Sequence, residues 1–475
     1  MAEASSQQGN GRREPPVWAA LVPLVAMGLL LGIGYGVYAI RAQVLLIAAA
    51  VVTGLTARGV GLTWNEMQQG IVESIRKALP AILIMLCVGL LVASWIACGT
   101  IPMVMSWGLG LISPRFFLAT ACLVCSITAV ATGTSWGTIG TLGVAFIGIA
   151  QAQGIPLGPA AGAIVAGAYF GDKMSPFSDI PNLAPAATGA NLFDTLRHMV
   201  WSAGPAWLAG LAVYLVIGLR HGSAALESAS VELIRSTLGD AFTFSPVLLL
   251  PMLVVFGFAF AKKPVIPGML LSVGVALVLA MLYQKQSLVT LAQALNTGFK
   301  PATGVAEVDR LLARGGLMSM METQLIAFAA FSFGGIMLKA GLLDALLQRV
   351  LRLARQTGTL VLTTAASCIL TALVTGSSYL SLLVPGELLA PAFRARRLAA
   401  KNLARLVIES GGTVVPLVPW SMAAVYITGT IGVPAMSYAP WAVMNWLSIL
   451  VLVAFGFTGI TMAPRMRDDE TQIGS

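Results

Sequence analysis

The sequence predicts an all-α polytopic membrane protein made of two inverted-topology repeats, with broken helices or re-entrant hairpins near the bilayer midplane. Three observations predict it. Of the 475 residues, 57% are apolar and 10% charged, at a mean hydropathy of +0.86, whereas soluble domains carry about a quarter charged residues. Two related lines recur, T-G-T-S-W-G-T from Thr132 to Thr138 and T-G-S-S-Y-L-S from Thr375 to Ser381. Basic residues gather at the ends of apolar stretches, as the positive-inside rule expects of cytoplasmic loops.

The paired lines set the organisation. Gly weakens a helix, and the hydroxyls of Thr132, Thr134 and Ser135 can hydrogen-bond main chain that has left helical geometry. In lipid a freed N–H or C=O costs several kcal/mol unless protein or a watery cavity receives it. Interrupted helices in corresponding places of two halves therefore point to a transporter's substrate site, formed here by Thr132, Gly133, Thr134 and Ser135 with Thr375, Gly376, Ser377 and Ser378. Further matches follow: Pro176 with Pro416 and Thr188-Gly189 with Thr428-Gly429, at separations of 416 − 176 = 240 and 428 − 188 = 240, against 375 − 132 = 243 for the leading lines. An offset slipping by three residues is what duplication and small insertions leave.

Read in order, residues 1–16 form a disordered cytoplasmic tail carrying Arg12 and Arg13, and 17–219 form the first transmembrane half. Spans are expected at 17–40, retained because no small-residue cleavage site follows, and at 44–57. Thr63 with Glu66 fits a capping box that opens an amphipathic segment to Lys77, lying in the interface, before a span at 78–98. A shorter apolar piece, 101–112, precedes the first broken pair, 116–131 and 133–150. Helices at 160–170 and 200–219 flank the polar line 171–186. Residues 220–243 are the connecting loop, and 244–461 the second half, with spans at 244–261, 265–283 and 318–337. The second broken pair is 359–374 with 377–390, and a second unwound line from Glu409 to Pro419 leads to the last span, 441–460, and a C-terminal tail, 462–475.

Charge sets the orientation. The second broken pair is flanked by Arg349, Arg352 and Arg355 and by Arg394, Arg396, Arg397 and Lys401, whereas the first has Arg115 alone. The pairs therefore open to opposite faces, with the N-terminus cytoplasmic in a multi-pass protein of the cell (inner) membrane. The same distribution explains the net charge of +9 and pI near 9.5 without nucleic acid. Cys87, Cys98, Cys122, Cys125 and Cys368 lie in apolar stretches and read as small buried hydrophobes. Gly133 to Gly137 fits G-x-S-x-G, but a nucleophile elbow needs a strand before the turn and a His and acid in reach, so no enzyme is expected. No nucleotide-binding signature is present.

The chemistry falls on G-D-K-M-S-P-F-S-D-I-P-N-L-A-P-A, residues 171–186. Ionisable groups at mid-membrane cost at least about 2.5 kcal/mol each and mark function or pairing. Pro176 and Pro181 remove two N–H donors and block regular helix, leaving carbonyls and the Ser175 and Ser178 hydroxyls facing inward. With Asp172, Asp179 and Asn182 these are hard oxygen ligands suited to a small alkali cation. A structural alternative is a Lys173 to Asp salt bridge, which would still leave one carboxylate over. In the second half Glu409 and Thr413 join the candidates, although Arg405 and Glu409 are also placed for an i,i+4 ion pair. Glu322, Lys339 and Glu387 near span ends, and His198 beside Arg197, read as interfacial groups.

The run Phe170 to Asp179, followed by Asn182-Leu183-Ala184, resembles the NhaC-type sodium/proton antiporter family of the ion transporter superfamily. Thr132 to Thr138 and the line with Glu409, Gly412-Thr413 and Pro419-Trp420 are similar to that family too, so the resemblance covers most of the chain. Ile180-Pro181 stands where two threonines are common there. The resemblance implies a secondary active Na+/H+ antiporter working by alternating access, with proton and Na+ competing at Asp172 and Asp179. The alternative it leaves open is a Na+- or H+-coupled carrier of a small organic acid or amino acid, since the family includes such relatives. Expected partners are the lipid bilayer, a small cation and, on the alternative, a small carboxylate; a homodimer is left open, and no cofactor is expected beyond the transported or coupling Na+ and H+.

Overall fold

The apolar stretches fold as helices that satisfy their own main chain. A computed structural model describes residues 15–35, 37–38, 40–221, 228–261, 263–354 and 356–464. Tail residues 1–14 and 465–475, with Lys262 and Arg355, lie outside the described residues. Seven described helices are long and apolar enough to cross a membrane, and three more helix pairs pass together while bent by 45° to 100°.

Thr63 caps as expected: its hydroxyl accepts from Glu66 N while the Glu66 carboxylate accepts from Thr63 N at 2.8 Å. The helix it opens does not end at Lys77. It runs 34 residues, Trp64–Ala97, through Pro80, because nothing before Pro80 breaks it. The amphipathic pattern is real but its polar face points elsewhere than expected: Glu66, Gly70, Glu73, Ser74 and Lys77 form one helical stripe lining a cavity. In the second half the matching path is interrupted. The Leu288–Thr297 helix stops at Gly298, and the chain makes an excursion containing the Ala306–Leu312 helix before resuming as Leu317–Lys339. Phe299 N donates to Arg314 O at 3.2 Å and Gly316 N to Gly89 O at 2.7 Å, so the excursion leaves and returns at one place. The expected connecting loop is also partly helical, Ser228–Ala241.

The two repeats superimpose in sequence at one offset. Left-handed glycines end the first arms of both hairpins, Gly133 and Gly376, and both post-break helices, Gly189 and Gly432. Both separations, 376 − 133 and 432 − 189, equal 243, as does 421 − 178 for Ser178 and Ser421, which cap the post-break helices. The three-residue slip expected from Pro176/Pro416 and Gly189/Gly429 is absent: Pro176 corresponds to Pro419. Repetitive Gly, Thr and Pro allow a near match one turn away.

The halves are thus inverted copies. The first supplies the hairpin Phe117–Thr132 with 135–152, and the broken helix Leu157–Met174 with Asp179–Thr188. The second supplies Thr357–Thr375 with Ser378–Ala395, and Ala400–Val407, continued through a π turn at Ile408–Gly412, with Met422–Ile431. Small residues let arms pack closely: a Cβ on Gly167 or Gly171 would lie 2.2 Å from Cys122 O or 2.3 Å from Ser126 O.

Candidate functional site

Each hairpin tip turns on a left-handed residue, Gly133 at φ 70° and Gly376 at φ 61°. Thr134 and Ser377 then cap the second arms, accepting from Gly137 N at 3.2 Å and Leu380 N at 3.4 Å. Thr132 and Thr375 donate back to Thr128 O and Thr371 O, closing the last turns of their helices. The Ser378 carbonyl accepts from Ser381. The tips lie against the breaks of their own halves: a Cβ on Gly133 would meet Phe177 C at 2.7 Å, and one on Gly376 would meet Ser421 Cα at 3.2 Å.

Asp172 is 6% exposed, and its Oδ2 accepts from Ser135 Oγ at 2.6 Å. The Ser178 hydroxyl and the Ser135 main chain also act on this carboxylate. Ser135 begins a helix arm whose free N–H groups favour negative charge, so a hairpin start and a helix break converge on one anion. Asp172 makes no ion pair within 4.0 Å among the described residues. The alternative of a Lys173 to Asp salt bridge is therefore not realised.

Lys173 lies in the last turn of Leu157–Met174. It is 2% exposed, its Nζ has no hydrogen-bond partner, and the opposite charge acting on it is Glu409. Glu409 is fully buried; Oε1 accepts from Ser202 Oγ at 2.9 Å, and Oε2 has no hydrogen-bond partner. The expected Arg405–Glu409 ion pair is absent as well. The π turn rotates Glu409 away, and Arg405 donates to Thr461 at 2.9 Å. The Thr413 hydroxyl donates to Ile408 O at 3.3 Å, and its carbonyl accepts from Asn445 at 2.9 Å. Lys173 and Glu409, one from each half, thus carry opposite charges that act on each other without an ion pair within 4.0 Å among the described residues.

Asp179 does not share the burial of Asp172. It is exposed at the start of Asp179–Thr188, with Tyr379 Oη 3.4 Å away. Pro181 does not block that helix; it sits in its first turn, where a missing N–H costs little. Ser175 turns away, donating to Val130 O at 2.7 Å, and Asn182 donates to Pro176 O and Ser178 O at 2.9 and 2.7 Å, tying down the carbonyls of the break. Of the oxygen set read from the line, Asp172 and Ser178 converge, Asp179 stands apart at an exposed position, and Ser175 and Asn182 hold the backbone. His198, expected to be an interfacial anchor, hydrogen-bonds Asn402 at 3.0 Å.

A cavity of about 1140 Å³ opens on the face that carries Pro15 and reaches the second hairpin tip at Thr375, Ser377 and Tyr379. At the first hairpin tip Trp136 stacks on Tyr426 at 4.3 Å between ring centroids, and Tyr426 Oη donates to Trp136 O at 2.6 Å.

A model described as the Na+/H+ antiporter family matches residues 167–460, which hold the broken helices of both halves. The chain belongs to that family. Among similar proteins, one named an uncharacterized Na+/H+ antiporter, from Haemophilus influenzae, is 39% identical over 95% of this chain and 98% of the relative. The Na+/H+ antiporter NhaC of Alkalihalophilus pseudofirmus is 34% identical over 87% of this chain and 90% of the relative. The arginine/ornithine antiporter ArcD of Halobacterium salinarum is 34% identical over 98% and 96%. This member of the Na+/H+ antiporter family is therefore a multi-pass secondary transporter of an ion or small solute, and not an enzyme.

Sequence reasoning missed Ser202, Tyr379, Asn445 and the Trp136–Tyr426 stack in this antiporter-family chain. Ser202 and Asn445 are single polar residues in apolar helices. The repeat could have exposed the aromatic pair, since Trp136 and Tyr379 occupy equivalent places after the two tip glycines.

Proposed function

We propose that the chain is a Na+/H+ antiporter of the inner membrane, with its N-terminus in the cytoplasm, in which Asp172 binds either a proton or Na+ and Asp179 passes the ion to the cytoplasmic cavity. The observation that carries this reading is the Asp172 carboxylate, buried and held by hydroxyls with no basic side chain in contact. Burial disfavours an isolated carboxylate charge, so the group is neutralised by a proton or by a bound cation. One proton leaves as one Na+ arrives, and the exclusion couples the fluxes. The oxygens of Ser135 and Ser178 supply further hard ligands, and Lys173 and Glu409, buried one in each half, offset each other's charge.

The test is dissipation of an imposed pH gradient on adding Na+ to vesicles. Asp172→Asn should abolish it and Asp179→Asn should slow it; unchanged coupling in both would reject the assignment. A second reading, a Na+- or H+-coupled carrier of a small organic acid or amino acid, is favoured by one observation. The cavity at the second hairpin is far larger than an alkali cation, and it ends on hydroxyls and a helix start. Similarity to the arginine/ornithine antiporter adds to it. Saturable counterflow of labelled arginine or lactate in proteoliposomes would favour that reading, and its absence the first.

A further inference from the structure

Trp136 and Tyr379 stand at equivalent positions of the inverted repeats, since 379 − 136 is the same 243 that relates the tip glycines. Each side chain crosses to the other half. Trp136 meets the post-break helix Met422–Ile431, and Tyr379 meets the post-break helix Asp179–Thr188. The two contacts differ in depth. Trp136 lies flat on Tyr426, one turn into its helix, with rings 16° from parallel and a 2.6 Å hydrogen bond. Tyr379 reaches only the first residue of its helix, at a loose 3.4 Å, and remains 44% exposed on the wall of the large cavity. The residue equivalent to Tyr426 is Leu183, one turn beyond Asp179 on the same helical face.

We propose that Trp136 and Tyr379 are the two gates of the transport cycle, the first closed and the second open in this structure. In the opposite state the roles exchange: Tyr379 advances one turn to rest on Leu183 and seals the cavity, while Trp136 withdraws from Tyr426. The asymmetry follows from the inversion. Two copies of one device facing opposite ways cannot both be open without a leak, so the closed stack and the loose contact are the two settings of the same part. The inference rests on alternating access, which the family resemblance implies, and is independent of the cargo.

All five cysteines are buried, so Ser74→Cys on the cavity wall can report access to an impermeant maleimide in inside-out vesicles. In this background labelling should respond to Na+ or to an imposed pH gradient. A flat response would overturn alternating access and the gates with it. Oxidising Trp136→Cys with Tyr426→Cys should halt exchange while Ser74→Cys stays fully labelled, and reductant should restore exchange. In the opposite sense, oxidised Leu183→Cys with Tyr379→Cys should protect Ser74→Cys. Trp136→Ala should lower cavity labelling about threefold, a modest population shift, with Trp136→Phe behaving as the parent. A responsive parent in which Trp136→Ala and Trp136→Phe label alike, or in which the oxidised pairs leave exchange and labelling unchanged, would overturn the gate assignment alone.

Discussion

Asp172 and Asp179 belong to one short line yet meet different surroundings, and their variants should separate accordingly. The Ser135 hydroxyl gives Asp172 a charge-assisted hydrogen bond, which is worth about 1.5 to 3 kcal/mol. Ser135→Ala should therefore raise the apparent KM for Na+ by about tenfold while leaving the maximal rate near normal, read from Na+ titrations of gradient dissipation. Lys173 and Glu409 call for a cycle of variants. Removing one partner strands a buried charge, at a cost of about 3 to 5 kcal/mol in soluble proteins. Lys173→Met and Glu409→Gln should each lower the melting temperature in detergent, and the double variant should recover most of the loss. Recovery of stability without recovery of transport would separate the structural role of the pair from a part in coupling.

At the scale of elements, both hairpins depend on a glycine that no other residue replaces without strain. Left-handed geometry costs an L-residue roughly 1 to 2 kcal/mol, and Gly133 is further hemmed in by Phe177, 2.7 Å from where a Cβ would sit, against 3.2 Å to Ser421 at Gly376. Gly133→Ala should impair transport more than Gly376→Ala, as measured by initial exchange rates at matched membrane abundance. These tips are legible in the sequence because Gly beside Thr and Ser in an apolar stretch interrupts a helix and supplies hydroxyls to cap the next one. The helix Trp64–Ala97 is less legible. Its polar stripe has the spacing of an interfacial helix, and spacing alone does not distinguish headgroups from a cavity wall. The Arg405–Glu409 pair fails for a related reason: i,i+4 logic assumes 3.6 residues per turn, and the π turn at Ile408–Gly412 breaks that assumption where Glu409 sits.

Across the whole molecule, the inverted halves are not equal. At the common offset Val415 stands opposite Asp172, and Ala166 opposite Glu409, so each half contributes one kind of charged site and neither repeats it. Only the second half carries the excursion between Gly298 and Gly316, whose Val308 and Leu312 are fully buried. A Cβ on Gly316 would lie 2.3 Å from Gly298 N, so the ends of the excursion already touch. Excising residues 299–315 and joining the two glycines should leave a folded, monodisperse transporter whose melting temperature falls by several degrees, checked by size-exclusion chromatography and thermal unfolding. By itself the sequence determined the membrane class, the duplication, the opposed orientation and the lines that carry the charges, because hydropathy, repeated breakers and basic flanks are local and one-dimensional. Which charge meets which was decided only by the tertiary structure. Asp172 with Ser135, Glu409 with Ser202 and Trp136 with Tyr426 are joined by packing between distant segments, and a single polar residue in an apolar helix carries no mark of the partner it will face.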